Sequence, residues 1–204
     1  MSDRVTVVPD PFTLIAYDAA EIAAVVEDVA AMVGIPSNVP IKVEVDEELF
    51  APLVGHSSDV VDGRIEVWMS GGNLEDNRRP QQFSEAQARR DFTYALLRGN
   101  DRLSPEFADA PPDAQLSRSE RAAWDVYAMG RAERLGLPAR RQAALYEFRL
   151  QHGFTDVGDA AFERLWNGPS TTFGAIREIC VETGGNERGA SKIPIDLLRQ
   201  SKSA

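Results

Sequence analysis

Two histidines, His56 and His152, and one cysteine, Cys180, are the whole supply of imidazole and thiol in this chain. One cysteine closes no intrachain disulfide, and three such ligands spread along the chain give no Cys/His zinc motif. Cys180 falls on an apolar helical stripe with Phe173, Ile176 and Ile179, the spacing of a small buried hydrophobe and not of an exposed nucleophile. His56 sits in a Gly55-His-Ser-Ser loop, and His152 precedes a helix-ending Gly153, where an imidazole suits the negative end of the helix dipole. No G-x-S-x-G raises a serine on a strained turn, and there is no P-loop or G-x-G-x-x-G. Gly71-Gly72-Asn73 follows a strand pattern, but Glu75-Asp76 come next and would repel a phosphate.

Two further sets of residues could do chemistry. The acids Asp46, Glu47, Glu48, Asp59, Asp62, Glu75 and Asp76 lack the spacing that gathers oxygens around one cation, and read as a solvated acidic face. Arg118, Arg121, Arg131, Arg134, Arg140, Arg141 and Arg149 lie on two helical segments joined by Gly136-Leu-Pro, which has the form of a helix-turn-helix turn. Short-looped helix pairs are also ordinary packing units, and the chain as a whole is acidic.

The 204 residues hold 22 Lys and Arg against 32 Asp and Glu, with 43% apolar and 26% charged residues. Such a composition buries a core, and its net −10 opposes nucleic acid and anionic lipid. No apolar run is long enough to cross a membrane, and Met1-Ser-Asp-Arg is unlike a signal peptide, so the expectation is a cytoplasmic protein with no membrane or nucleic-acid partner and no cofactor. The charge is uneven: residues 1–80 carry 5 basic and 15 acidic side chains, the remainder 17 of each. This predicts an acidic α/β part over 1–80, a helical part over 81–183 packed with it, and a partly disordered tail over 184–204.

The periodicities fill in the elements. Asp18 caps a helix bearing Ile22, Val25, Val26, Val29 and Val33, closed by Gly34 and Pro36. Ile41, Val43 and Val45 alternate with polar residues as a half-buried strand does. Asp62-Gly63 marks a type I′ hairpin turn before a strand over 64–69, and a polar loop runs from Gly71 through Pro80. Ser84 and Ser117 cap further helices, to about Arg98 and toward Gly136; others end near Gly153, Trp166 and Thr183. The fold class expected is α+β: a small mixed sheet with helices, followed by an all-helical C-terminal part.

The order helix, strand, hairpin strand, loop, helix over 18–103 resembles the minimal zincin-type metallopeptidase fold. Aligning Asp101-Arg102-Leu103 with that family's segment after its motif helix lays Arg90-Asp91-Phe92-Thr93-Tyr94 over H-E-x-x-H. The resemblance then implies a degenerate relative without metal, because arginine has no lone pair to offer and a tyrosine phenol is protonated near neutral pH. Asp91 would stand at the position of the family's general base.

These residues set the functional expectations. Arg90 and Tyr94 share a helix face, and Trp68 falls on the polar side of its strand, where an aromatic needs a cover. With Asn73 and Asp91 they outline a candidate groove between strand 64–70 and helix 84–98, used by a non-catalytic binding protein for an unidentified partner or small molecule. The rival readings are a metal-independent enzyme using Asp91 and Tyr94 as acid/base groups, and a helix-turn-helix DNA-binding protein.

Overall fold

The computed structural model describes residues 4–76 and 78–185, and the expected tail lies outside these from residue 186 onward. The chain forms two compact units, Met1–Leu103 and Ser104–Ala204. The change in charge near residue 80 thus precedes the structural division, since the helix that follows it belongs to the first unit. The fold class is α+β, as the periodicities indicated.

In the first unit, β1 (Val5–Val8), α1 (Ala19–Met32) and β2 (Ile41–Asp46) form a strand-helix-strand unit with the two strands parallel. β3 (His56–Val61) and β4 (Arg64–Ser70) pair antiparallel, and β4 lies parallel to β2, so the sheet order is β1-β2-β4-β3. The hairpin turn is Asp62-Gly63, with φ of 51° and 75°, left-handed values that an Asx-Gly pair tolerates. Asp18 caps α1 by accepting from the Ala20 and Glu21 amides, and Ile22, Val25, Val26 and Val29 enter the core.

α2 (Glu85–Arg102) runs a turn further than expected and packs on α1, β3 and β4. Gly99 permits this approach: a Cβ there would lie 2.7 Å from Ile65 Cγ2 and 2.9 Å from Ser58 Oγ. The expected polar loop is also more ordered than its composition suggests. It contains a 3-10 turn over Gly71–Leu74 and a two-stranded sheet of β5 (Glu75–Asp76) and β6 (Arg79–Phe83).

The second unit is helical: α3 (Arg118–Arg134), α4 (Arg141–His152), α5 (Asp156–Asn167) and α6 (Phe173–Glu182). α3 packs against the other three, around Trp124, Phe148, Phe162, Trp166 and Phe173. Ser117 and Glu120 form a reciprocal capping box at the start of α3. Among the described residues no strand follows Phe83, and no helix is long and apolar enough to cross a membrane.

Candidate functional site

The parallel strands β1, β2 and β4 all end on the same side of the sheet, at Val8, Asp46 and Ser70. Ligands of open α/β sheets bind outside such carboxyl ends. Here that end is built from segment 9–17, segment 47–55 and the 3-10 turn at Gly71, held together by side chains.

Asn73 is central to that network. Its Oδ1 accepts from the Gly55 amide at 2.7 Å and from Ser70 Oγ at 2.8 Å, while its Nδ2 donates to Asp91 Oδ2 at 3.0 Å. Only one orientation of the amide serves both sides, because Gly55 N–H is a donor and the carboxylate an acceptor. Asp91 Oδ1 accepts a hydrogen bond from Arg90 Nε at 2.7 Å. Three of the residues picked out in the sequence, Asn73, Arg90 and Asp91, are therefore joined in one network.

The groove expected between β4 and α2 is not open. Tyr94 is 6% and Asp91 7% exposed, and α2 rests directly on β3 and β4 through the Gly99 contact. Tyr94 and Asp91 are thus buried, a correction to the open groove expected there. Trp68 is buried as well, in register between Glu44 of β2 and Ser57 of β3. The aromatic that needed a cover has one.

Three further anchors escaped the sequence reading. Glu75, expected on a solvated acidic face, is 6% exposed and accepts from the Ala51 amide at 2.9 Å and the Gln81 amide at 2.8 Å. Tyr17 donates its hydroxyl to Gly71 O at 2.8 Å; burial and, secondly, the negative charge of Glu75 push its ionisation above the usual phenol range. Glu47 accepts from Thr13 N at 2.7 Å, Leu14 N at 2.9 Å and Thr13 Oγ1 at 2.8 Å. Desolvation alone would raise its pKa, but these hydrogen bonds to the charged form outweigh it and lower the value. Spacing gives no hint of such anchors, because each carboxylate bonds backbone amides of a distant or differently folded segment.

In the second unit, His152 stands in the last turn of α4, as expected, with its ring buried. It is 1% exposed, stacks on Phe148 with ring centroids 3.9 Å apart, and bonds Ser119 O at 3.0 Å and Thr183 Oγ1 at 2.7 Å. Burial lowers its pKa, with the Ser119 carbonyl opposing. Cys180 is the buried hydrophobe its stripe suggested, its thiol pushed up to about 11 chiefly by burial.

Several arginines of the helix-turn-helix candidate are engaged within their own unit. Arg121 pairs with Asp113, Arg134 bonds Trp166 O, Arg141 pairs with Glu163 and Arg149 with Asp159, while Arg131 lies over the Tyr127 ring. Arginines so occupied would have to break these contacts to reach phosphate or base edges. No group of three or more His, Cys, Asp or Glu among the described residues could hold a metal ion. Compared with protein-family models, curated proteins and solved structures, the chain finds no match in any of the three.

Proposed function

We propose that the first unit is a non-catalytic binding module on a zincin-like frame that lacks the metal ligands. The frame is supported by the order β1-α1-β2-β3-β4-α2, with its antiparallel edge strand β3 and α2 laid across β3 and β4. At the aligned motif positions the donor set does not fit zinc. Arg90 is a permanent cation paired with Asp91, and Tyr94 is a buried phenol.

The observation that carries the reading is the engagement of Asp91. A general base must present a lone pair to a substrate proton within hydrogen-bond reach. Here the carboxylate is 7% exposed, and its oxygens are taken up by Arg90 Nε and Asn73 Nδ2. Its work is to hold Asn73, and through it Gly55 and the loop before β3. Metal-independent acid/base catalysis by Asp91 and Tyr94 would need both side chains to leave the core.

The test is turnover. The full chain and Asp91→Asn are incubated with a mixture of short peptides, with and without added zinc, and product masses are read over time. The reading requires no cleavage above a protein-free control in any sample. Time-dependent cleavage that Asp91→Asn abolishes would overturn it.

A further inference from the structure

The outer side of α4 carries a joined apolar patch. Ala144, Phe148 and His152 turn into the second unit, and Tyr146 and Leu150, two residues out of phase with them, fall on the opposite side of the helix. They are 56% and 50% exposed, and their i, i+4 spacing makes them neighbours. Gly153, with φ of 91°, turns the chain at the helix end, and the ring of Phe154 meets that of Tyr146 edge-on with centroids 6.0 Å apart. Phe154 is itself 61% exposed.

The charges around the patch divide into engaged and unengaged groups. Arg149 lies over the Phe154 ring and is held by both oxygens of Asp159, at 2.7 and 2.5 Å, and Arg141 is paired with Glu163. Arg140 stands at the far end of α4, about 9 Å along the helix from Tyr146. Glu147, beside Tyr146, and Asp156, two residues after Phe154, are exposed and enter no ion pair or side-chain hydrogen bond among the described residues. The unengaged charge next to the patch is therefore negative.

The described residues end at this same helix. Thr183 Oγ1 and His152 Nδ1 are 2.7 Å apart, and Gly185 N donates to Cys180 O at 2.8 Å. The chain thus passes out of the described residues beside the last turn of α4, where Leu150 and Phe154 lie two residues either side of His152. Residues 186–204 contain Arg188, Lys192, Arg199 and Lys202 against Glu187 and Asp196. Their apolar run, Ile193-Pro-Ile-Asp-Leu-Leu198, has Lys192 and Arg199 immediately at its ends. Residues 186–192 can span up to about 23–25 Å when extended, against a helix diameter of about 10–12 Å. Such a tether holds the run at an effective concentration on the order of millimolar, an advantage that a free partner lacks.

We infer that segment 193–198 docks on Tyr146, Leu150 and Phe154 as a strap across the outer side of α4, with Lys192 and Arg199 facing Glu147 and Asp156. The inference concerns the second unit and is independent of the non-catalytic reading of the first. Two copies meeting patch to patch would set Glu147 and Asp156 against their own kind, whereas the strap brings apolar side chains and cations together.

The experiment is amide hydrogen exchange of the full chain, read residue by residue, with residues 200–204 as internal reference. Relative to intrinsic rates, residues 195–198 should exchange about tenfold more slowly than the reference in wild type, and at the reference rate in Tyr146→Ser with Phe154→Ser. Glu147→Gln with Asp156→Asn, which keeps the apolar residues, should reduce the slowing, as should added salt. The reverse readout is nitration of Tyr146 by tetranitromethane. Ile195→Ser with Leu198→Ser, which alters none of the described residues, should raise its rate about tenfold with the melting temperature unchanged.

Exchange at 195–198 as fast as the reference in wild type, or slowed equally in Tyr146→Ser with Phe154→Ser, overturns the inference. So does a nitration rate that Ile195→Ser with Leu198→Ser leaves unchanged, a result that decides the matter even if the α4 variant does not fold. Protection that falls on dilution, with a wild-type dimer in sedimentation, would assign the patch to a second copy and overturn it as well.

Discussion

Asn73 and Asp91, eighteen residues apart, meet through a 3.0 Å hydrogen bond from the Asn73 amide to the Asp91 carboxylate, with Gly55 N–H held on the amide's other side. Asp91, an acid on α2, is thereby the root of a loop anchor.

Asn73→Ala should destabilise the protein by about 1–3 kcal/mol, because it strips a partner from a buried carboxylate oxygen and weakens the hold on Gly55. Asn73→Asp should be worse, since it faces the Asp91 carboxylate with a second one at close range. Urea denaturation of the three proteins gives the order: wild type, then Ala, then Asp.

Two helical glycines should respond oppositely to alanine. A Cβ on Gly130 would lie 2.2 Å from Trp166 O, a backbone atom of α5 that cannot step aside, so Gly130→Ala should cost about 1–3 kcal/mol or more. The nearest atom to a Cβ on Gly174 is Thr172 Oγ1 at 3.7 Å, so Gly174→Ala should be neutral or stabilise by up to about 1 kcal/mol through helix propensity. Thermal denaturation of the two variants tests the contrast.

Much of this was legible in the sequence. Alternation in β2, the Asp62-Gly63 turn and the caps at Asp18, Ser84 and Ser117 are local signals, and each element stands where its signal is. β1 escaped notice because four residues ending before Pro9 have little pattern of their own and owe their strand to parallel pairing with β2. β6, polar and containing Pro80, is held by Glu75 on the Gln81 amide. The site was half legible. Asn73, Arg90 and Asp91 do come together, but residue types alone do not show that α2 packs on α1 and on the sheet, or that Tyr94 is buried.

His152 makes stability depend on pH in a defined direction. Its pKa in the folded protein is lowered by burial, so below the unfolded value of about 6.5 the unfolded chain binds more protons. Stability contributed by the neutral ring is therefore complete above that pH and is lost as pH falls toward the lowered folded value. Urea midpoints measured between neutral and mildly acidic pH should fall for wild type, and the fall should shrink in His152→Gln after comparison with its own neutral midpoint.

Tyr17 has the opposite consequence at high pH. With its folded pKa raised, the phenol keeps its proton where the unfolded chain loses it, so stability should decline as pH rises above about 10. Tyr17→Phe should cost about 0.5–1.5 kcal/mol at neutral pH for the lost bond to Gly71 O, and should flatten that alkaline decline. Denaturation at neutral and alkaline pH reads both effects.

The most direct measurement of the anchoring role of Asp91 is amide hydrogen exchange in Asp91→Ala compared with wild type, read at Gly55 and at β2. Gly55 N–H does not touch Asp91; it depends on it only through Asn73. Exchange at Gly55 should quicken by about tenfold or more through local opening of the loop, while the Val43 and Val45 amides of β2 keep their protection. Unchanged protection at Gly55 in a folded Asp91→Ala protein would contradict the anchoring role and return Asp91 to the candidates for chemistry.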